Sequence, residues 1–337
     1  MSAIAATANP ASTTPPLWRD HRLDLGDFTL EHGLTLPQAK LCCRLYGDYG
    51  PRYLILGGIS ADRRLGAETE ARGWWPQQVG HGRPLDPRFA QLISIDYLAS
   101  GDSSRPQQTG EWALSTIDQA RAIIIALDQL GIERLDGVIG ASYGGMVALA
   151  LARHFPQRVC RALILCAAHR SSPTTAAYRS LQRQIVRFAE RYGDAAEGLR
   201  LARGLAMLGF RSRREIDQRF DVPGQLINQQ LQLPVDAYLN ARGADFARRT
   251  DSASFHCLSQ SCDQHAIEPE QIPAPLWLAA CRDDQIIPHA DVAELAARAP
   301  LLQSFVTLES PYGHDCFLKE THAIGRVIQH FIAGGAV

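Results

Sequence analysis

The run Gly140-Ala141-Ser142-Tyr143-Gly144 narrows the choice of fold more than any other part of this 337-residue chain. It reads G-x-S-x-G. An apolar segment, 135–139, precedes it, and the strongly helix-forming Met146-Val147-Ala148-Leu149-Ala150-Leu151-Ala152 follows. A strand that turns sharply between glycines into a helix pushes the Ser142 hydroxyl out at the top of a sheet. The helix N-terminus then lies behind the serine, and the Tyr143 backbone N–H is free to face an oxyanion. A tight turn that merely contains a serine is the bland alternative. The flanking segments favour a nucleophile.

Further strands are expected at 40–46, 53–56, 91–97, 161–168, 275–281 and 303–308. Over 115–130, Ile117, Ala120, Ile124, Leu127 and Leu130 recur at helical spacing, and Gly131 follows as a C-cap. Helices are also expected at 290–298 and 317–332. Strands alternating with helices imply a mostly parallel sheet covered on both faces. The interval 169–271 is rich in arginine and poor in strand signal, so it reads as a helical lid inserted between two strands of a core at 17–168 and 272–337. Residues 1–16 are rich in Ala, Ser, Thr and Pro without a basic start. They read as a disordered tail rather than a signal peptide.

Composition removes several function classes. A net charge of −1 gives no reason to expect a nucleic-acid or anionic-membrane partner, and no apolar stretch is long enough to span a bilayer. Eight cysteines without an export signal read as free thiols, which points to the cytoplasm. His256, Cys257, Cys262 and His265 have loosely metal-like spacing but lack a C-x₂-C pair, so no metal is expected. Gly57-Gly58 is too weak for a phosphate loop.

A serine hydroxyl needs a base, and the base needs a carboxylate to orient it. In the α/β-hydrolase arrangement, which this pattern resembles, the chain order is Ser, then an acid, then His. The acid candidates are Asp283 and Asp284, just past the 275–281 strand. His314, in Ser310-Pro311-Tyr312-Gly313-His314-Asp315, follows the last strand; His169 and His289 stand in the wrong order or beside the acid. The oxyanion hole needs two N–H groups. Tyr143 supplies one, and the loop after the 53–56 strand supplies the other, from Ile59 or the adjacent Gly58.

The motifs together resemble the MetX-type homoserine O-acyltransferases of the α/β-hydrolase fold. Gly140 to Met146 resembles that family's G-G-S-M-G-G-M elbow. Gly73-Trp74-Trp75, Gly80 and Gly82 to Asp86 resemble its G-W-W…G-x-G-x-x-x-D segment. Gly198-Leu199-Arg200-Leu201-Ala202-Arg203 resembles its G-L-x-x-A-R helix, and Arg211-Ser212 with Arg219-Phe220 its Y-x-S…R-F. Tyr238-Leu239 and Phe246 fit its Y-L…F, and Tyr312 to Leu318 its Y-G-H-D-A-F-L.

The resemblance implies an α/β-hydrolase fold and an acyl group moved from acyl-CoA to Ser142, then to the hydroxyl of L-homoserine, in methionine biosynthesis. Acyl-CoA is a co-substrate, no cofactor is bound, and a homodimer is implied. The proline four residues after the acid in other hydrolase-fold chains selects Asp284. Arg203 matches the arginine that pairs with the acceptor carboxylate, and Asp315 the aspartate that holds its ammonium. Succinyl-using members tend to carry Arg two residues past the acid; here Ile286 stands there and leans toward acetyl-CoA. Arg282, Arg105 or a lid arginine could replace that cation. The chain departs from the family at Phe210, usually Tyr, and at the loop 99–106. L-serine as acceptor, a hydrolase using water, and a non-enzymatic binding module are the competing readings.

Overall fold

Eight strands form one sheet in the computed structural model, which describes residues 18–66 and 73–334. The tail expected at 1–16 lies outside the described residues. The core begins with β1 (Trp18–Thr29), β2 (Thr35–Tyr46), β3 (Arg52–Leu56) and β4 (Gln91–Ile95). Helix α1 (Thr116–Gln129), β5 (Gly137–Ala141), α2 (Tyr143–His154) and β6 (Ala162–Leu165) follow. Between β6 and the next core strand lie α3 (Pro173–Arg191), α4 (Ala195–Phe210), α5 (Arg213–Phe220), the hairpin β7 (Gln225–Ile227) and β8 (Gln230–Gln232), α6 (Pro234–Ala247) and α7 (Ser252–Gln264). The chain ends through β9 (Leu276–Cys281), α8 (His289–Arg298), β10 (Leu302–Leu308), α9 (Cys316–Lys319) and α10 (Thr321–Ala333).

The sheet order is β1-β2-β4-β3-β5-β6-β9-β10. Strand β1 pairs antiparallel with β2, and β2 antiparallel with β4; every pair from β4 to β10 is parallel. The chain is an α/β-hydrolase fold with a mostly parallel sheet. The carboxyl ends of β5, β9 and β10 therefore open on one edge, where the loops carrying Ser142, Asp284 and His314 emerge.

Helix α2 shows how local sequence sets this packing. Tyr143 to Ala152 is buried throughout. Its alanines and glycines let the backbone approach β3, β5 and β6 closely, while Met146, Val147, Leu149 and Leu151 fill the gaps at about 1.5–3 kcal/mol per large side chain. Helix α1 starts at a capping box in which Ser115 and Asp118 satisfy each other's backbone N–H groups.

Strand β1 was not among the expected strands. Five of its twelve residues are Asp or Arg, most of the strand is exposed, and two bulges interrupt its pairing. Edge strands carry such charges to resist further pairing, which erases the apolar alternation that marks a strand. Strand β2 also starts earlier than expected, at Thr35. The helix expected over 317–332 is broken at Glu320, whose ψ is 65°. Beside the break, the Phe317 carbonyl accepts from Trp75 Nε1 and the Thr321 carbonyl from Gln78 Nε2, both at 2.9 Å.

The inserted span has two layers. Cys257, Leu258 and Cys262 of α7 join the main apolar cluster with α1 and α2, while Val186, Leu199, Ala202, Phe246 and Phe255 form a separate small core. The β7–β8 hairpin stands on the outside with Leu226, Ile227 and Leu231 exposed.

Candidate active site

Ser142 sits between β5 and α2 at φ 54° and ψ −121°. This conformation costs a residue with a Cβ roughly 1–3 kcal/mol and persists only where its surroundings impose it. The surroundings here are backbone. A Cβ on Gly140 would fall 2.2 Å from the Gly144 carbonyl oxygen, and one on Gly144 would fall 2.3 Å from that of Leu56. Ser142 makes no side-chain cap bond to α2, so its Oγ is available to a base.

The candidate base stands within reach. His314 Nε2 lies 2.8 Å from Ser142 Oγ, and His314 Nδ1 lies 2.7 Å from Asp284 Oδ2. The other oxygen of Asp284 accepts from the backbone N–H groups of Ile286 and Ile287, both at 2.8 Å. Those bonds aim Oδ2 at the imidazole. His314 and Asp284 are buried, whereas Asp283 is exposed. Burial resists charging of His314, but the Asp284 charge and hydrogen bond, with Asp315 adding to them, hold its pKa above the ordinary imidazole value. Phe210 stacks on the imidazole at 5.7 Å between centroids and Phe317 meets it edge-on at 5.9 Å. His289 instead faces Thr307 Oγ1 at 2.8 Å and His169 faces Glu294 at 3.5 Å.

The oxyanion side is pinned to the elbow. The Gly57 carbonyl accepts from the Gly144 N–H at 2.9 Å and from Tyr97 Oη at 2.7 Å. This sets Gly58 beside the nucleophile, where an added Cβ would lie 3.9 Å from Ser142 Oγ. Ile59 follows, half-buried, and Tyr143 opens α2 with its hydroxyl 2.8 Å from Ser261 Oγ. The two candidate donors to the oxyanion thus flank Ser142 from different elements.

Arg203, on α4, is one ring away from the base. Its guanidinium lies over Phe210 at 4.8 Å and over Phe246 at 5.2 Å, and among the described residues it has no hydrogen bond or ion pair. Burial lowers its pKa to about 10, partly offset by the charge of Asp315. It remains a cation at neutral pH with its planar fork of donors uncommitted, which suits a carboxylate. Asp315 makes no helix-capping bond. It pairs with Arg211, Nη2 to Oδ2 at 3.0 Å. Arg211 stood in the sequence only as part of a motif; no spacing rule marks a partner 104 positions away.

Ile286 lies against α4, where a Cβ on Gly209 would fall 2.6 Å from its Cδ1. Arg282 points elsewhere, pairing with Glu309 at 2.5 Å. Arg105 lines a cavity of about 320 Å³ with Ile59, Phe246 and Arg249. The four metal-like residues of α7 and its end do not converge: His265 Nδ1 meets Thr116 Oγ1 at 2.9 Å, and Cys257 and Cys262 pack in the core. All eight cysteines are free. Among the described residues no helix is long and apolar enough to cross a membrane.

Comparison with known proteins agrees with this geometry. The profile of the alpha/beta hydrolase fold family matches residues 66–321. The chain is 38% identical over 284 residues to the homoserine O-succinyltransferase of Xanthomonas campestris pv. campestris, covering 83% of this chain and 75% of that one. It is 31% identical over 348 residues to the homoserine O-acetyltransferase of Thermus thermophilus, covering 90% and 89%. The crystal structure of homoserine O-acetyltransferase from Bacillus anthracis superposes with a TM-score of 0.85 at 17% identity over 95% of this chain and 99% of that one, a likeness of fold. The glycine-flanked elbow, the ordered acid and histidine and the extent of these matches lead to one conclusion: the chain belongs to the homoserine O-acyltransferase family of the α/β-hydrolase fold.

Proposed function

We propose that the protein transfers an acyl group from acyl-CoA to the hydroxyl of L-homoserine through an acyl-Ser142 intermediate, a step of methionine biosynthesis in the cytoplasm. His314 takes the Ser142 proton as Oγ attacks the thioester carbonyl. The N–H groups of Tyr143 and of Ile59 or Gly58 stabilise the oxyanion. The CoA thiolate leaves with the proton that His314 carries. His314 then deprotonates the homoserine hydroxyl, which attacks the acyl-serine carbonyl, and Ser142 leaves protonated. Asp284 orients the imidazole throughout.

The observation that carries this reading is Arg203. A hydrolase whose acceptor is water has no use for an uncommitted guanidinium stacked beside the ring that packs on its base. An amino-acid acceptor does: Arg203 takes the carboxylate and Asp315 the ammonium, leaving the side-chain hydroxyl to reach His314.

Two donors remain in play. Ile286, apolar and set against α4, supports an acetyl group. The 38% identity to a succinyltransferase supports a succinyl group, with Arg105 in the adjoining cavity as the cation for its carboxylate. The test is CoA release from acetyl-CoA and succinyl-CoA in parallel, with no acceptor, with L-homoserine and with L-serine. Steady release accelerated by homoserine is expected. Release that homoserine leaves unchanged would defeat the transferase reading in favour of a hydrolase. A homodimer fits the family and the exposed apolar hairpin β7–β8.

A further inference from the structure

The C-terminal end of α4 grips the turn that carries the base. Phe210 lies on the His314 ring. Arg211 pairs with Asp315 at 3.0 Å, with only 9% and 15% of the two side chains exposed, and its guanidinium stands over the Tyr312 ring at 5.9 Å. Ser212 Oγ donates to the Pro311 carbonyl. Gly313 fits so closely that an added Cβ would come within 2.9 Å of the Ser212 backbone nitrogen. On the acid side, Gln285 Nε2 donates to the Arg211 carbonyl at 3.4 Å. Three consecutive residues thus touch both loops that deliver the base and its acid.

Arg211 is the charged member of the three. Its Nε is buried without a partner, so the guanidinium is oriented by Asp315 rather than by a network of its own. Building on the acyl-transfer reading above, we propose that Arg211 is a positioning residue: it fixes the Asp315 carboxylate, balances its charge, and so sets the field in which His314 works. In each half of the reaction His314 becomes an imidazolium while Asp315 stays beside it. The charged groups facing His314 are Asp284 from the β9–α8 loop, Asp315 from its own turn and Arg179 from α3; Arg203 of α4 and Arg211 just past its end act on Asp315. An Asp315 without its counter-ion would favour the imidazolium further and leave less free base at neutral pH. With Arg211 on Oδ2, the other carboxylate oxygen stays open to the acceptor's ammonium.

The experiment follows acylation alone, as the burst of CoA released from acyl-CoA without acceptor, across the pH range in which imidazole titrates. Arg211→Gln should move the acid limb of the profile up by about 0.5–1 pH unit, and Asp315→Asn should move it down. In the double variant the Arg211 effect should shrink, because its target is gone. An acid limb that stays put or moves down in Arg211→Gln overturns the proposal. So does an equal Arg211 effect with and without Asp315. Arg211→Met keeps an unbranched apolar chain at the position and loses the charge with its donors; the same upward shift is expected of it, and it serves if Arg211→Gln does not fold. Absence of any burst in the unsubstituted enzyme would overturn the acyl-transfer reading itself, whereas a normal burst with an unmoved limb overturns this proposal alone.

Discussion

Ser142 holds a strained conformation because the close-packed Gly140 and Gly144 leave its neighbours no room to relax it. Gly144→Ala would drive a methyl into the Leu56 carbonyl, which is fixed in β3 and cannot yield like a side chain. A loss of roughly 2–4 kcal/mol in urea denaturation is expected, with little activity remaining. Ser142→Ala should abolish CoA release, and a variant that still transfers acyl groups at full rate would sink the covalent mechanism. Asp284→Asn removes the charge that opposes burial at His314. The acid limb of the pH–rate profile should therefore move to lower pH, while kcat falls by about 10⁴ because the amide no longer selects the right imidazole tautomer. His314 must be neutral to act as base, so in the native enzyme activity rises as pH climbs through its raised pKa. The stability it contributes as a cation runs the other way, being complete below the ordinary imidazole pKa and lost across the same rise. Arg203→Ala should raise the homoserine KM by at least about tenfold, since a carboxylate loses a charge-assisted pair of bonds. An unchanged KM would remove Arg203 from the acceptor site.

At the scale of elements, the His314 turn is built by parts far away in the chain. The indole of Trp75 satisfies the Phe317 carbonyl within α9, and Gln78 does the same for Thr321 at the start of α10. Trp75→Phe keeps most of the packing and leaves that carbonyl unpaired, so a loss of about 1–3 kcal/mol is expected on thermal melting. Hairpin β7–β8 is the opposite case. It closes through Asn228 and Gln229, both at positive φ, and packs little against the core. Two short strands alone are marginal in water, and a second subunit would give Leu226 and Leu231 a surface to cover. Leu226→Asp combined with Leu231→Asp should convert a dimer to monomer in light scattering; native protein that runs as a monomer would end the homodimer reading.

The whole molecule carries buried neutral histidines outside the site. Burial depresses His265 to about 3 and His256 to about 4. Because the folded pKa values lie below that of the unfolded chain, their contribution is complete above about pH 6.5. It is lost as pH falls toward 4 and then 3, a range in which the unfolded chain binds more protons. Stability measured at pH 5 should be lower than at pH 7 by one to a few kcal/mol, roughly, and replacing His265 by Asn should flatten that slope. The α/β-hydrolase class is legible in the amino-acid order alone. A strand–elbow–helix, alternating strands and helices, and an ordered Ser, acid and His are all local patterns with local physical causes. Elbow and chain order also marked Ser142, an acid at Asp283 or Asp284, and His314 as candidates, and the family resemblance selected Asp284 and added Arg203 and Asp315. What those residues face follows from the folded chain instead. Strand β1 hid behind edge charges, the break at Glu320 stands where side chains from the 73–79 turn bond the flanking carbonyls, and Arg211 reaches Asp315 from 104 positions away. Sequence patterns record which face of an element is buried. Which distant group completes a hydrogen bond or a charge pair depends on how the elements are brought together, and no periodicity encodes that.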